Sequence, residues 1–400
     1  MPAATTAMRQ LLTTERRNHI CLLTLLSLDL LLEILYKLPV KSLMKLKCVS
    51  KYLNSIISDP KFAKDHLRLS HTRDYHLVIC SPNFISNRKW NLILGKEFYF
   101  IDSSLPYVLN NKTTAIPDTN PLRANGNILA IIEDSCDGII CFSTRDYNYE
   151  NFKLVVWNPC TRKFKILPHL ENLPYSSAST TIKYNIVYDH FTGNYKVVLV
   201  ISYEYHMLSN FGKIQVRVHT LGTNFWRRIP DFPSDIMGKL KGCAGKLSGT
   251  VNWVIQRYHE NGFSFVILSL DLGNESYQEI LQPNYELDKP LRCLRVGVSR
   301  DCLCVLAHTN TFLDIWAMKD YGNKDSWTKL FTIPLVEFHN PDIYANLLYI
   351  YEEGDQVLLQ ICYKPFVYNY KNGTIKCLDI QGLPSTLFDS HVYVESLISP

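Results

Sequence analysis

The sequence contains none of the motifs that mark the common classes of enzyme active site. It has no glycine-rich loop ending in Lys-Ser or Lys-Thr, no Gly-x-Gly-x-x-Gly after a strand and no Gly-x-Ser-x-Gly elbow. His259-Glu260 is not followed by the second histidine of a zinc-protease helix. We therefore predict no catalytic residue and no cofactor, and we do not expect the chain to be an enzyme.

The cysteines and histidines show no pattern typical of a metal site or of a disulfide framework. The 12 cysteines are scattered, several of them inside apolar runs, and the 12 histidines are spread without a cluster. Cys302 and Cys304 share one strand, and a metal there would need two further ligands from elsewhere. Buried free thiols in a reducing compartment are the simpler interpretation. We expect no metal, and a location in the cytoplasm that extends also to the nucleus.

The chain also lacks a long apolar run and a strong net charge. The apolar stretch Ile20–Leu32 is too short to span a membrane, and Asp29 interrupts it. A formal net charge of +5 over 400 residues is too weak to indicate a nucleic acid or a membrane as the partner. Residues Met1–Leu25 are rich in Ala and Thr, which predicts a disordered extension, with a mitochondrial transit peptide as the alternative.

One stretch, residues 26–69, has clear helical periodicity. Its first run carries apolar residues on one helix face, at Leu30, Ile34, Leu35 and Leu38. Pro39 ends this run and can open a second helix. Asp59-Pro60 is expected to end a third, since the residue before a proline is disfavoured in the α region. The pattern predicts three short amphipathic helices.

Three helices of about ten residues each cannot bury much surface alone. So many leucines on so small a unit predict an apolar surface that needs a partner. Two other interpretations stay open. The helices could form a cap on the rest of the chain, or a helix-turn-helix that reads DNA. The second helix offers mainly lysine and apolar residues, which does not favour base reading.

From His76 onward the pattern changes to short runs rich in Val, Ile, Tyr and Phe, separated by turn residues. The predicted strands are His76–Cys80, Glu97–Ile101, Gly138–Phe142, Lys153–Trp157, Tyr195–Ile201, Ile214–His219, Thr250–Ile255, Phe263–Leu270, Cys302–Ala307, Phe312–Met318, Gln356–Cys362 and Phe366–Tyr370. No helical pattern of useful length interrupts them, so this part of the chain is predicted to be all β.

An aliphatic residue followed by proline closes successive units of this β part. The pairs are Leu105-Pro106, Leu167-Pro168, Ile229-Pro230, Ile333-Pro334 and Leu383-Pro384. Units of about fifty residues with about four strands each predict the blades of a β-propeller. Five repeats are visible, and Tyr75–Pro106 is a sixth candidate. The chain has no Gly-Gly pair and no Trp-Asp pair, which speaks against regular kelch and WD repeats. A β-sandwich or an irregular β body with accidental spacing is the alternative.

The segment "EILYKLPVKSLMKLKCVSKYLNSIISDPKFAKDHL", which starts at Glu33, resembles a plant F-box. Two positions depart from that pattern, because Ser27 replaces an early proline and Leu53 replaces a tryptophan. The resemblance implies docking on the Skp-type adaptor of a cullin–RING ubiquitin ligase. The residues implied to face or frame the adaptor are Leu26, Leu30, Ile34, Leu35, Leu38, Pro39, Val40, Leu43, Leu46, Val49 and Ser50.

The β part carries a second resemblance. "SCDGIICF" at Ser135–Phe142, followed by "KLVVWNPCTRKFKILP" at Lys153–Pro168, looks like the opening of the F-box-associated domain of the same plant family. Later blocks such as "GKLSGTVNWVI" at Gly245–Ile255 follow in the expected order. Within the family the chain looks most similar to S-locus F-box and S-locus-like proteins. That similarity implies a secreted-type ribonuclease entering the cytosol as one candidate target.

The expected fold is therefore a multidomain α+β chain, with a small three-helix F-box and a large all-β, propeller-like domain. The expected boundaries are 1–25 for the extension, 26–70 for the F-box, 71–390 for the propeller-like domain and 391–400 for a C-terminal tail. By resemblance, the chain recognises the substrate of a Skp-cullin-F-box ubiquitin ligase. Its expected partners are the Skp-type adaptor, through it cullin and the RING subunit, and a target protein.

The tips between the second and third strands of each predicted unit should lie at one end of a propeller. Tyrosine and histidine in these tips suit protein recognition, because they supply contact area and hydrogen bonds at low entropy cost. The residues predicted to bind the target are Tyr147, Tyr149, Tyr203, Tyr205, His206, Tyr258, His259, His308 and Tyr363. Two alternatives remain: a propeller enzyme or binder for glycans or small molecules, and an F-box protein that works outside a ligase.

Overall fold

The chain was analysed as a computed structural model, which contains an N-terminal group of helices and a closed ring of β-sheets. The structure describes residues 27–69, 74–86, 92–109, 129–145, 152–170, 180–203, 214–234, 236, 238–247, 249–259, 262–285, 290–335, 345–362, 364–378 and 389–400.

Four helices form the N-terminal part, which we call the helical module. They are α1 (Leu28–Tyr36), α2 (Val40–Leu46), α3 (Lys51–Ile57) and α4 (Pro60–Leu69). The prediction of three helices that end at Asp59-Pro60 is wrong, because a fourth helix begins at Pro60. Asp59 instead precedes α4, and its Oδ1 accepts a hydrogen bond from the backbone N–H of Lys61 at 2.7 Å. Proline suits the first position of a helix, because the N–H that it lacks has no partner there.

The β part is a propeller of six blades, as the spacing of the repeats predicts. A short helix, α5 (Leu105–Leu109), follows β2. Blade 1 contains β1 (Tyr75–Ser86), β2 (Leu92–Ser104) and β23 (Asp389–Val394). Blades 2 and 3 contain β3 (Leu129–Cys136), β4 (Ile139–Arg145), β5 (Lys153–Asn158), β6 (Lys163–Ile166), β7 (Thr180–Asp189), β8 (Asn194–Tyr203), β9 (Ile214–Thr220) and β10 (Arg227–Arg228).

Blades 4 to 6 repeat the same four-stranded antiparallel pattern. Blade 4 contains β11 (Lys239–Leu247), β12 (Thr250–His259), β13 (Gly262–Asp271) and β14 (Ser276–Ile280). Blade 5 contains β15 (Cys293–Ser299), β16 (Cys302–His308), β17 (Phe312–Met318) and β18 (Trp327–Pro334). Blade 6 contains β19 (Ala345–Tyr351), β20 (Gln356–Ile361), β21 (Lys364–Asn369) and β22 (Thr374–Cys377).

The two ends of the β part meet in blade 1. Strand β23 pairs antiparallel with β1, with Leu77 opposite Val392 and Tyr75 opposite Val394. The first strands of successive blades contact one another around the ring, and β23 completes that inner circle between β19 and β3. The prediction of a tail over residues 391–400 is therefore wrong, because residues 391–394 belong to the innermost strand of a blade.

Alternate residues of each blade's middle strands pack into two different hydrophobic cores. In β8, Val197 and Leu199 pack between blades 2 and 3, whereas Val198 and Val200 pack between blades 3 and 4. The same arrangement gives a separate core at each of the six blade boundaries. A strand buried on both faces has a continuous apolar sequence, which explains why these strands are visible in the sequence.

The residues that follow β23 are anchored inside the molecule. Asn158, at the end of β5, donates from Nδ2 to the carbonyl oxygens of Ser396 (3.1 Å) and Ile398 (2.7 Å). The Ser396 hydroxyl donates to the Asp137 carbonyl oxygen at 2.6 Å. Gly138 has a positive φ of 82°, and a Cβ there would lie 2.3 Å from Ser396 Oγ. Leu397 and Ile398 are buried in the core that the helical module shares with blades 2 and 3.

A buried ionic network crosses the same region. His76 on β1 lies between two carboxylates, with Nδ1 at 2.7 Å from Asp102 Oδ1 and Nε2 at 3.0 Å from Glu395 Oε1. Glu395 also pairs with Lys41 of α2 at 3.0 Å. Burial by itself lowers the pKa of His76, but hydrogen bonds and charges from the two carboxylates outweigh it and raise the pKa to about 9. His76 is therefore an imidazolium at neutral pH.

This network predicts a loss of stability at alkaline pH. The pKa of His76 is higher in the folded state than in the unfolded state, so the charged ring stabilises the folded protein. This contribution is complete below pH 6.5 and is lost as the pH rises through 9. The shift corresponds to roughly 3 kcal/mol. Burial raises the pKa of Cys160 to about 12 and raises the pKa of Tyr393 well above its usual value, so neither neighbouring group titrates in this window.

We expect His76→Gln to be less stable than the wild type at pH 6 and to show a flatter stability profile from pH 6.5 to 9. Urea unfolding midpoints at several pH values measure this difference. His259→Gln is the control, because His259 is exposed and its described hydrogen bond is to the hydroxyl of Ser264. Equal slopes for the wild type and His76→Gln would contradict the assignment.

Candidate functional site

The core of the helical module is formed by one face of each helix. Its buried side chains are Leu31, Leu35, Val40, Leu43, Leu53, Ile57, Phe62 and Ala63. The Ser50 hydroxyl accepts a hydrogen bond from the Leu53 backbone N–H at 3.1 Å and so caps α3. Ser27 caps α1 in the same way, through a longer bond of 3.4 Å from the Leu30 N–H.

Both departures from the F-box pattern have a local structural role. Ser27 supplies the N-cap side chain that a proline at this position could not provide. Leu53 is 2% exposed and fills the centre of the module, packed with the other core residues. Neither substitution therefore interrupts the helices.

Several apolar residues of the module are exposed instead of packed in its core, and together we call them the outer face. It contains Leu28, Leu30, Ile34, Pro39, Val49 and Tyr52. Val49 is 63% exposed and Leu30 is 53% exposed, and exposed apolar side chains are informative where several occur together. Exposed apolar groups grouped on one small unit are typical of a protein–protein contact.

The outer face contains part of the residue set implied by the resemblance. Leu30, Ile34, Pro39 and Val49 are exposed there, while Leu38, Leu46 and Ser50 are partly buried beside it. Leu35, Val40 and Leu43 cannot contact a partner directly, because they are buried in the module's own core. Leu26 lies outside the described residues.

Sequence reasoning missed two residues of the outer face, Leu28 and Tyr52. Tyr52 lies on α3, whereas Val49 precedes the extended N-cap Ser50 and is outside the helix, so helical spacing does not relate the two residues. Leu28 does not share the i, i+4 spacing of Leu30 and Ile34. Its exposure at the first position of α1 could not be read from periodicity.

The helical module packs on the propeller at the boundary of blades 2 and 3. Its core is continuous with Ile139 and Val156 of blade 2 and with Val197 of blade 3. Lys64 of α4 donates to the Gly193 carbonyl oxygen at 2.8 Å, and its ammonium group lies 5.6 Å from the centre of the Tyr188 ring. The ion pair between Lys41 and Glu395 adds a second polar contact.

These contacts show which end of the propeller faces the module. In an antiparallel blade, the turns that join strands one and two lie at the same end as those that join strands three and four. Gly193 is in the first kind of turn, and Thr161 and Leu221 near the module are in the second kind. The tips between strands two and three are therefore at the opposite end, which we call the distal end.

At the distal end, blade 4 presents an exposed aromatic pair. Tyr258 and Phe263 are directly opposite each other on β12 and β13 and are 41% and 42% exposed. Their rings meet edge to face at 6.4 Å, and Phe263 packs in turn on Phe265 at 5.4 Å. His259 is exposed beside them, and its Nε2 shares a hydrogen bond with Ser264 Oγ. Phe263 is an addition to the predicted set, and its placement across the hairpin from Tyr258 was the available signal.

The prediction that His308 contacts a target at the surface is wrong. His308 is the last residue of β16 and is 5% exposed. Burial, with a smaller contribution from the charge of Arg295, lowers the pKa of His308 to about 4, so the ring is neutral. The predicted residues Tyr147, Tyr149, Tyr205, His206 and Tyr363 lie outside the described residues, as does the side chain of Tyr203.

The inner strands contain few acids, and those with described side chains have partners. Asp134 on β3 pairs with Lys246 Nζ at 2.6 Å and accepts from the Ile186 N–H at 3.0 Å. Glu133 accepts from the Ser143 hydroxyl at 2.6 Å, and Asp189 pairs with Lys196 at 2.7 Å. A glycosidase needs a pair of acids roughly 5–10 Å apart that can act on substrate. The described part of these strands offers no such pair free of other partners.

Within the described residues, no group of three or more potential metal ligands occurs. No described helix is long and apolar enough to cross a membrane.

The contrast between the core and the outer face predicts two different mutational effects. Leu43→Ala should destabilise the helical module by about 2–5 kcal/mol, because it leaves a cavity at a fully buried position. Ile34→Ser should change stability by less than about 0.5 kcal/mol, since Ile34 is half exposed. Thermal unfolding with helix-sensitive circular dichroism measures both. A large loss for Ile34→Ser would mean that this side chain is buried.

The comparisons with known proteins cover both parts of the chain. Residues 94–400 match the family described as the F-box associated beta propeller domain, and residues 23–65 match the F-box domain. An F-box/kelch-repeat protein of Arabidopsis thaliana is 28% identical over 384 residues, which cover 94% of this chain and 96% of the relative. F-box protein CPR1 of Arabidopsis thaliana is 25% identical over 390 residues, which cover 93% of this chain and 88% of the relative.

Proposed function

Because the chain belongs to the family of F-box proteins with an F-box associated beta propeller domain, we propose that it is the substrate-recognition subunit of a ubiquitin ligase of the Skp–cullin–F-box type. The observation that carries this proposal is the outer face of the helical module. An apolar surface within an F-box domain suits docking on a Skp-type adaptor, because burying one Leu or Ile side chain contributes about 1.5–3 kcal/mol.

In this role the chain performs no bond chemistry itself. The helical module attaches the chain to the adaptor, and through it to cullin and the RING subunit. The distal end of the propeller holds a target protein. Holding both together raises the effective concentration of the target's lysines near the ubiquitin-charged enzyme. The packed junction between the module and blades 2 and 3 supports this role, because it fixes the distance between the two binding surfaces.

The outer face gives a direct test of adaptor docking. We expect the full chain to co-purify with a plant Skp-type adaptor and cullin. The double variant Ile34→Asp/Val49→Asp should lose adaptor affinity by about 100-fold or more, because two carboxylates would be buried in an apolar contact. Leu281→Asp is the matched control, since Leu281 is a similarly exposed leucine on blade 4.

Several outcomes would count against the proposal. If the double variant binds the adaptor as tightly as the wild type, the outer face is not the docking surface. If the wild type binds no adaptor while remaining folded, the helices act as a cap on the propeller. If the adaptor binds but cullin never joins the complex, the protein works outside a ligase.

We propose that the target binds at the distal end, where Tyr258 and Phe263 expose a large aromatic area. Aromatic side chains dominate the energetics of many protein interfaces. The resemblance to S-locus F-box proteins makes a secreted-type ribonuclease one candidate target, so a ribonuclease belongs among the proteins assayed. The location proposed for this activity is the cytoplasm or the nucleus.

Replacing Tyr147, Tyr205 and Tyr258 together by alanine should weaken target binding by at least about tenfold and leave adaptor binding intact. The readout is the set of proteins whose ubiquitination depends on the wild-type chain. Phe191→Ala/Phe225→Ala is the control, because both phenylalanines are exposed in turns at the end of the propeller opposite the distal tips. If only the control variant loses target binding, the target site lies at that end instead.

A further inference from the structure

A cavity of about 280 Å³ lies at the junction of the helical module and the propeller. It is bordered by the ends of α2 and α3 and the start of α4, by the turns between strands three and four of blades 2 and 3, by the turn between β7 and β8, and by the last residues of the chain. We call it the junction cavity. Its position is distinct from both the outer face and the distal end.

The charged side chains that line the junction cavity are all positive. It includes three lysines, Lys47, Lys64 and Lys163, and no aspartate or glutamate is among the described residues that border it. Lys64 is held by neutral partners, the Gly193 carbonyl oxygen and the Tyr188 ring. No ion pair with a described carboxylate involves Lys47 or Lys163. Burial, followed by the nearby charge of Lys163, lowers the pKa of Lys47, so the two ammonium groups repel each other.

A hydroxyl group without a partner lies in the same lining. Thr161 borders the cavity, and its buried Oγ1 has no hydrogen-bond partner among the described residues. The Thr161 backbone N–H is held by Asn158 Oδ1 at 3.2 Å, which fixes this residue in the turn. A buried hydroxyl without a partner costs about 1–3 kcal/mol, so a ligand that accepts its proton would recover that energy.

We propose that the junction cavity binds a small phosphate-bearing anion, which bridges Lys47 of the helical module and Lys163 of blade 2. A phosphate group carries negative charge, which would neutralise the positive charge of the three lysines. Its oxygens accept hydrogen bonds from both ammonium and hydroxyl groups. The cavity is at the lower end of the size range of ligand pockets, which favours a compact anion. Because its walls come from both parts of the chain, the anion strengthens the junction between them.

The proposal is tested by calorimetric titration of the purified full chain with inorganic phosphate, pyrophosphate and glycerol phosphate at constant ionic strength. We expect saturable binding of one anion per chain. Tighter binding of pyrophosphate would mean that two phosphate groups span Lys47 and Lys163. Preference for glycerol phosphate would indicate a phosphate monoester as the natural source.

Matched variants connect binding to the cavity. Lys47→Met/Lys163→Met should lose at least about tenfold in affinity, since each variant removes a charged donor and keeps an apolar stem. Lys376→Met is the control, because Lys376 is exposed on the outer strand of blade 6. Equal loss in the control, or equal heat from sodium chloride alone, would reduce the effect to general charge screening and overturn the proposal.

Thr161→Val distinguishes a ligand site from a structural role. In the absence of anion this variant should melt at the same temperature as the wild type or higher, because a buried hydroxyl without a partner is replaced by a methyl group of similar shape. In the presence of saturating phosphate, the melting temperature of this variant should rise less than that of the wild type. If Thr161→Val is less stable without anion and binds phosphate normally, the hydroxyl serves the fold and the proposal fails. This readout does not depend on adaptor binding.

Discussion

Closure of the ring by β23 is the constraint on which the rest of the structure depends. The middle strands of the blades are apolar on both faces, so a blade becomes stable only when a neighbour covers each side. An open arc would leave two such faces exposed. Pairing of β1 with β23 removes both edges at once and joins the start of the β part to its end. The hydrophobic effect therefore requires the complete chain from residue 75 to residue 394 before every blade is covered on both sides.

Closure also creates the seat for the helical module. The chain leaves β23 toward blade 2, and Glu395 meets both His76 of the ring and Lys41 of α2. The next residues are held by Asn158 and pass over Gly138, where a side chain would collide with Ser396. These contacts give a physical reason for two motifs that the chain shares with the F-box-associated domain. The motifs are Asp137-Gly138 and Trp157-Asn158-Pro159, which are separated in the sequence of blade 2. Both contact the segment that follows ring closure rather than a ligand.

How much of the fold could be predicted depended on how each strand is buried. All twelve predicted strands are the second or third strand of a blade. Where their side chains are described, burial on both faces explains the unbroken apolar run. The inner strands carry polar residues such as Asp134 and Asn185, and the outer strands are short and exposed, so both escape a test based on hydrophobicity. The same limit applies to the sites. Ile34 is exposed and Leu35 is buried, although both are adjacent apolar residues of one pattern. Burial of His308 depends on its position in the tertiary structure, which no local pattern shows.

The junction, more than either binding surface, decides what the assembled molecule can do. A substrate receptor must keep its target within reach of an enzyme that is held elsewhere, and a loose connection would lower the effective concentration of the target's lysines. Here the connection is a continuous apolar core, an ion pair from Lys41 to Glu395 and a hydrogen bond from Lys64 to Gly193. Within the described part of the chain, the three lysines at the same place form no ion pair with a carboxylate side chain, which leaves part of the junction electrostatically incomplete. An anion bound there would change how rigidly the propeller is held on the helical module, without touching the surface for the adaptor or the surface for the target.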